Sequence, residues 1–144
     1  MASVPWAGPR SSIEALAARQ GRAAVVSGCQ DLLAGRDVEA HLIFGLGGPP
    51  ARWVIDGGAA GPDYWLRVWA LRGLLWVWND SATASVVASF TDESWRVREM
   101  AAKVVARHVL DLALPSVVSL QQDPVRRVRQ AADRAVARLA TQRG

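Results

Sequence analysis

DESWRVREMAAKVVARH, residues 92–108, returns 31 positions later as DPVRRVRQAADRAVARL, residues 123–139. The opening of the motif, Val97-Arg98-Glu99-Met100-Ala101, matches Val128-Arg129-Gln130-Ala131-Ala132, and the same interval leads back to Leu66-Arg67-Val68-Trp69-Ala70. An interval that holds twice marks a repeat array, and it has to be read before any single element. The match continues beyond the opening: Gly73, Val104 and Ala135 correspond, as do Leu74, Val105 and Val136, then Val77, His108 and Leu139.

Within one copy, Val97, Ala101, Val104 and His108 stand at i, i+4, i+7 and i+11, about 60° of arc on a helix, which makes them its buried stripe. A shorter apolar segment precedes each of the later helices, Val86-Val87 and then Val117-Val118. The unit is therefore a helix pair. Asp92 and Asp123 fall in the turns, where a carboxylate accepts hydrogen bonds from the free N–H groups of the next helix, and Pro124 suits a first-turn position.

Upstream the pattern weakens. Val38, Leu42, Gly45 and Leu46 keep the apolar spacing, but Glu39 replaces the arginine and the offset to Leu66 is 28, so this is a degenerate copy. Gly47-Gly48-Pro49-Pro50 stops its helix, Trp53-Val54-Ile55 reads as a short first helix, and Gly57 to Pro62 is a further break. Ser11 with Glu14 resembles a capping box ahead of a helix over Ile13 to Gln20, and Arg22 to Leu33 reads as another. No strand alternation is sustained, so the fold class is all-α.

Asp92 followed by Trp95-Arg96-Val97-Arg98 and Ala101, and Asp123-Pro124 followed by Val128-Arg129 and Ala132, resemble HEAT repeats of the short kind, clearly over residues 51–140 and weakly over 21–46. The resemblance implies a short right-handed α-solenoid of antiparallel helix pairs. In that reading residues 1–144 form one domain: capping helices and a degenerate repeat over 11–50, then repeats over 51–78, 82–109 and 112–140. The stretch from Gly61 to His108 is also similar to small bacterial HEAT-repeat proteins, a likeness that brings no activity with it. HEAT-like DNA-alkylation glycosylases share the residue types Trp, Asp and Arg, but their catalytic Asp has no counterpart matched here, and nothing argues for the bilin of HEAT-like bilin lyases. The resemblance also makes Arg67, Arg98 and Arg129 a structural column, each guanidinium reaching turn carboxylates or carbonyls, with Asp92 and Asp123 as acceptors. Gly61 stands at the equivalent turn position of the first repeat, and Asp63 is its substitute.

Composition sets the outer limits. The chain has 144 residues, 51% hydrophobic and 21% charged, which is enough for one core and unlike a disordered chain. Lys and Arg outnumber Asp and Glu by 17 to 13. Residues 1–62 are neutral, with five of each sign, and residues 63–144 hold twelve basic against eight acidic groups, so the whole excess lies in the repeats. The single cysteine, Cys29, excludes an internal disulfide and reads as a buried, inert thiol. MASVPWAGPR lacks the pattern of a secretory signal, and the densest apolar run, Leu74 to Trp78, is far below the ~18 residues of a membrane span. The expectation is a cytoplasmic protein without a membrane segment.

The same register predicts surfaces, because equivalent positions of stacked repeats line up. Arg96, Lys103 and Arg107 lie within about 40° on one helix. Adding 31 gives Arg127, Arg134 and Arg138; subtracting 31 gives Trp65, Arg72 and Trp76. One reading is a ligand surface, with cations for phosphates or carboxylates and rings for stacking. The other is structural: the face stands about 100° from the buried stripe, so the tryptophans pack on a neighbouring repeat and the cations form a solvated flank. The helix over Asp63 to Trp78 is apolar nearly all round, which places it centrally and gives its tryptophans a packing role.

Catalytic signals are weak. His41 and His108 lack neighbours at metal-ligand spacing, and His108 reads as a hydrogen-bonded helix-end histidine. Gly45 to Pro50 follows a helix and has no lysine and hydroxyl after it, so it reads as a helix stop and not a phosphate loop. Asp92 and Glu93 are adjacent and solvated at a helix start. No catalytic residue, metal or cofactor is assigned. The expected function is a non-enzymatic binding module for an acidic protein surface, with nucleic-acid backbone binding through the basic face as the alternative and a HEAT-like DNA-repair enzyme third. A bare terminal repeat would pair copies of the chain.

Overall fold

Glycine and proline mark where the helices of this chain start and stop. In the computed structural model, which describes residues 6–57 and 62–143, Pro9 opens the first helix, α1 (Pro9–Gln20), behind Gly8. The fixed φ of proline suits a first turn. That start corrects the expected capping box: Ser11 lies inside the helix, no side chain caps it, and Glu14 pairs with Arg10 at 3.0 Å. Gly21, at a φ of 94°, joins α1 to α2 (Arg22–Leu33). α3 (Ala40–Gly47) ends at Gly48, a short 3-10 turn over Pro49–Ala51 follows, and α4 (Trp53–Asp56) closes on left-handed Gly57. Val38 precedes α3, while Leu42, Gly45 and Leu46 of the degenerate copy are buried in it. Gly61 lies outside the described residues.

α5 (Tyr64–Trp76) is shorter than the 63–78 span read from the sequence, because the backbone turns extended at Val77. It buries Val68, Trp69, Ala70, Leu71, Gly73 and Leu74, nearly its whole circumference, because α1, α2 and α3 all pack on it. Gly73 permits that approach: a β-carbon there would stand 2.6 Å from Leu46 Cδ2 and 2.9 Å from Cys29 Sγ. These elements form one compact unit, ending at Val77.

A second compact unit begins at Trp78. In this unit the 31-residue interval is visible in every element. A 3-10 turn over Asp80–Ala82, α6 (Thr83–Ala88), a 3-10 turn over Ser89–Thr91 and α7 (Trp95–His108) are followed by Asp111–Ala113, α8 (Leu114–Ser119), Leu120–Gln122 and α9 (Arg126–Arg143), each starting 31 later. α7 packs chiefly on α9. Val97, Ala101 and Val104 on one helix and Val128, Ala132, Ala135 and Leu139 on the other are fully buried. Pro124 stands two residues ahead of α9 and not in its first turn. His108 departs from the buried stripe: at the end of α7 it is half-buried and stacks on Trp78, with ring centroids 4.5 Å apart. Among the described residues there is no strand, and no helix is long and apolar enough to cross a membrane. The fold is all-α.

Candidate functional site

Two turn aspartates organise the second unit. Asp92 Oδ1 accepts from the Ser94 amide and Asp123 Oδ1 from the Val125 amide, both at 2.9 Å, the side-chain-to-backbone turn that Asp makes before a helix. Arg98 then donates through Nη1 to the Asp92 carbonyl at 2.7 Å, and Arg129 through Nη1 to the Asp123 carbonyl at 2.8 Å and to the Pro124 carbonyl at 3.1 Å. Arg98 also crosses to the next repeat, with Nε to Asp123 Oδ2 at 2.7 Å and Nη2 to Oδ1 at 3.2 Å. Arg129 differs, since its acceptors are carbonyls of its own turn. Burial pushes the Asp123 carboxyl up, but the Arg98 hydrogen bonds, the Val125 amide and the charges of Arg98 and Arg129 outweigh it and hold the pKa below the ordinary value. In the first unit Arg67 faces Asp63 at 3.6 Å, and Asp63 is largely exposed.

The basic positions of α7 and α9 meet across one carboxylate. Glu99 is only 9% exposed. Its Oε2 accepts from Arg127 Nε at 2.9 Å, and its Oε1 accepts from Arg127 Nη2 at 3.3 Å and faces Lys103 Nζ at 3.7 Å. A cation from each helix on one acid puts both basic rows along the same seam. Arg96 and Arg127 lie against the Trp95 ring, their guanidinium carbons 4.6 and 5.1 Å from its centroid, within range of a cation–π attraction. Farther along, Arg107, Arg134 and Arg138 are exposed. Arg134 and Arg138 have no acidic partner among the described residues.

The three candidates in the first unit are built differently. Arg72 serves the fold: Nη2 donates to the Leu46 carbonyl at 2.9 Å and the Gly47 carbonyl at 3.4 Å, the unsatisfied end of α3. Burial works against its charge and lowers its pKa, and its Nε is buried without a hydrogen-bond partner. Trp65 is half-buried and stacks on Trp69, with centroids 6.3 Å apart, beside Tyr64 at 5.3 Å. Trp76 carries the Arg10 guanidinium 4.8 Å over its ring.

Sequence reasoning missed Glu99 and Trp95 as members of the seam. The repeat register gave Glu99 no clear signal, because the corresponding residues are an apolar one, Val68, and a polar one, Gln130, the first buried and the second exposed. A buried acid needs partners, and Arg127 and Lys103 supply them. Cys29 is fully buried, and burial pushes its thiol up to about 12. Among the described residues no group of His, Cys, Asp and Glu is placed to hold a metal ion.

Comparison with characterised proteins finds no match, and comparison with solved structures finds none either. The model of HEAT repeats matches residues 53–137, from α4 into α9, and the chain belongs to the HEAT-repeat family.

Proposed function

We propose that this chain is a non-enzymatic binding module whose α7/α9 seam receives an acidic segment of a partner protein. HEAT repeats serve generally as protein-interaction scaffolds, and that background supports a partner without specifying it. One observation carries the choice of an acidic one. Arg134 and Arg138 stand one turn apart on the exposed side of α9, without an acid among the described residues to neutralise them. Like charges at that spacing destabilise an isolated helix by about 0.2 to 0.5 kcal/mol, and a bound carboxylate relieves the repulsion. Glu99 favours protein over nucleic acid as the ligand, since it keeps a negative charge within the row, and a protein of mixed charge tolerates that better than a phosphate backbone does.

The test is fluorescence anisotropy with a labelled decaglutamate peptide, a duplex oligonucleotide and a single-stranded oligonucleotide across a salt series. The expected result is decaglutamate binding that weakens with salt and is lost in Arg134→Glu/Arg138→Glu. Duplex binding that is tighter, with log affinity falling by about 0.9 per neutralised phosphate against log salt, would reassign the face to nucleic acid. No binding of any probe at low salt ends both readings.

A further inference from the structure

The cations of the seam are not equivalent. Arg134 and Arg138 are long, exposed side chains, whereas Arg127 is held from two sides although its side chain is 62% exposed. Glu99 takes its Nε and one hydrogen of Nη2, at 2.9 and 3.3 Å, and the Trp95 ring lies 5.1 Å from its Cζ. A guanidinium has five N–H donors in a fixed plane. With two taken by Glu99, three remain along the Nη1–Nη2 edge, and Nη1 has no hydrogen-bond partner among the described residues. Two donors on one edge match the two oxygens of a carboxylate.

We infer that Arg127 is the fixed anchor of the acidic partner's site, with Glu99 and Trp95 as positioning residues that turn its outer edge toward a partner carboxylate. The inference rests on the reading of the seam as a site for an acidic segment, and names which residue fixes the register of that segment. An arginine already immobilised has less freedom to lose on binding than Arg134 or Arg138. Trp and Arg are enriched among the residues that dominate the energetics of interfaces, and loose rim charges mainly set the encounter rate and its salt dependence. The half-buried Trp95 ring leaves surface for an apolar residue beside the partner's acid.

Glu99→Gln gives the decisive sign. That substitution removes a negative charge from the seam, so a site that merely sums charge would bind decaglutamate more tightly. If Glu99 positions Arg127, the affinity falls instead, by about threefold or more, and Arg127→Lys, which keeps the charge and loses the fork, shows a similar loss. The double variant is then no weaker than the weaker single, because both disable one device. Each variant is checked for an unchanged helical signal by circular dichroism. Should Glu99→Gln fail to fold, Arg127→Lys at its exposed position decides alone. Tighter binding by Glu99→Gln, or wild-type affinity in Arg127→Lys, overturns the inference while the dependence on Arg134 and Arg138 leaves the seam itself standing. Loss of decaglutamate binding by the wild-type chain overturns both.

Discussion

Arg98 and Asp123 are joined by two hydrogen bonds, Nε to Oδ2 at 2.7 Å and Nη2 to Oδ1 at 3.2 Å, that tie one repeat to the turn of the next. Their side chains are 14% and 5% exposed, so the pair sits where solvent screens it little. Removing one partner strands the other, and Arg98→Met should cost about 3 kcal/mol or more of stability, as breaking a buried pair does. Urea unfolding measures it; a cost under about 0.5 kcal/mol, the scale of an exposed pair, would show that the contact does not hold the repeats together.

The same pair sets an acid limb. Asp123 is held below the ordinary carboxylate pKa of about 3.9 in the folded chain. A depressed folded pKa gives stability that is complete above the unfolded value and is lost as pH falls through the folded one. Melting temperatures from pH 7 to pH 2 should therefore drop below about pH 4, and Asp123→Asn should start lower at neutral pH and drop less on acidification. An identical acid limb in both chains would assign it to other carboxylates.

Leu74 and Leu112 separate a core from a surface. Leu74 is fully buried on α5 and Leu112 is 86% exposed. Leu74→Ala should cost about 2 to 5 kcal/mol from lost transfer and cavity formation, and Leu112→Ala should stay within about 0.5 kcal/mol. Comparable midpoints in urea would contradict the packing described for α5.

Cys29 lies beneath α5, its sulfur close to Gly73, with a thiol pushed up to about 12 by burial. Only the thiolate reacts, so alkylation by iodoacetamide at pH 8 should follow the opening rate of the fold and not the chemistry of an exposed thiol. Rapid labelling in native buffer is the contrary result.

The 31-residue interval carried the helix pairs of the second unit because that unit repeats its physics twice: the Asp turn, the Arg beneath it and the apolar stripe recur at Asp92, Arg98, Val97 and at Asp123, Arg129, Val128. Boundaries were less legible where local chemistry competes. Ser11 and Glu14 have the spacing of a capping box, but Pro9 starts the helix earlier and makes Ser11 an interior residue. The proposed site is legible by residue type and not by environment. The register sets Arg96, Lys103 and Arg107 against Arg127, Arg134 and Arg138, yet only the fold reveals that Glu99 joins Arg127 to Lys103, because a pair 28 residues apart has no local signature. Trp76 and Arg10 meet across a still larger interval.

Arg72 illustrates the difference between a column in the sequence and a face on the molecule. It shares a register position with Lys103 and Arg134, but its guanidinium spans the carbonyls of Leu46 and Gly47 at 2.9 and 3.4 Å. Carbonyls at a helix C-terminus have no partner within the helix, and leaving a buried one unsatisfied costs about 1 to 3 kcal/mol. Arg72→Met keeps most of the apolar stem and removes the donors, so it should destabilise the chain by an amount in that range. It should leave decaglutamate affinity unchanged, because the lost charge was already engaged with backbone. Arg134→Met should do the reverse, with stability held within about 0.5 kcal/mol and affinity reduced. The two substitutions remove the same charge from corresponding positions, so the crossed outcome in urea unfolding and anisotropy separates a fold arginine from a ligand arginine. Equal loss of affinity in both variants would return Arg72 to the binding face.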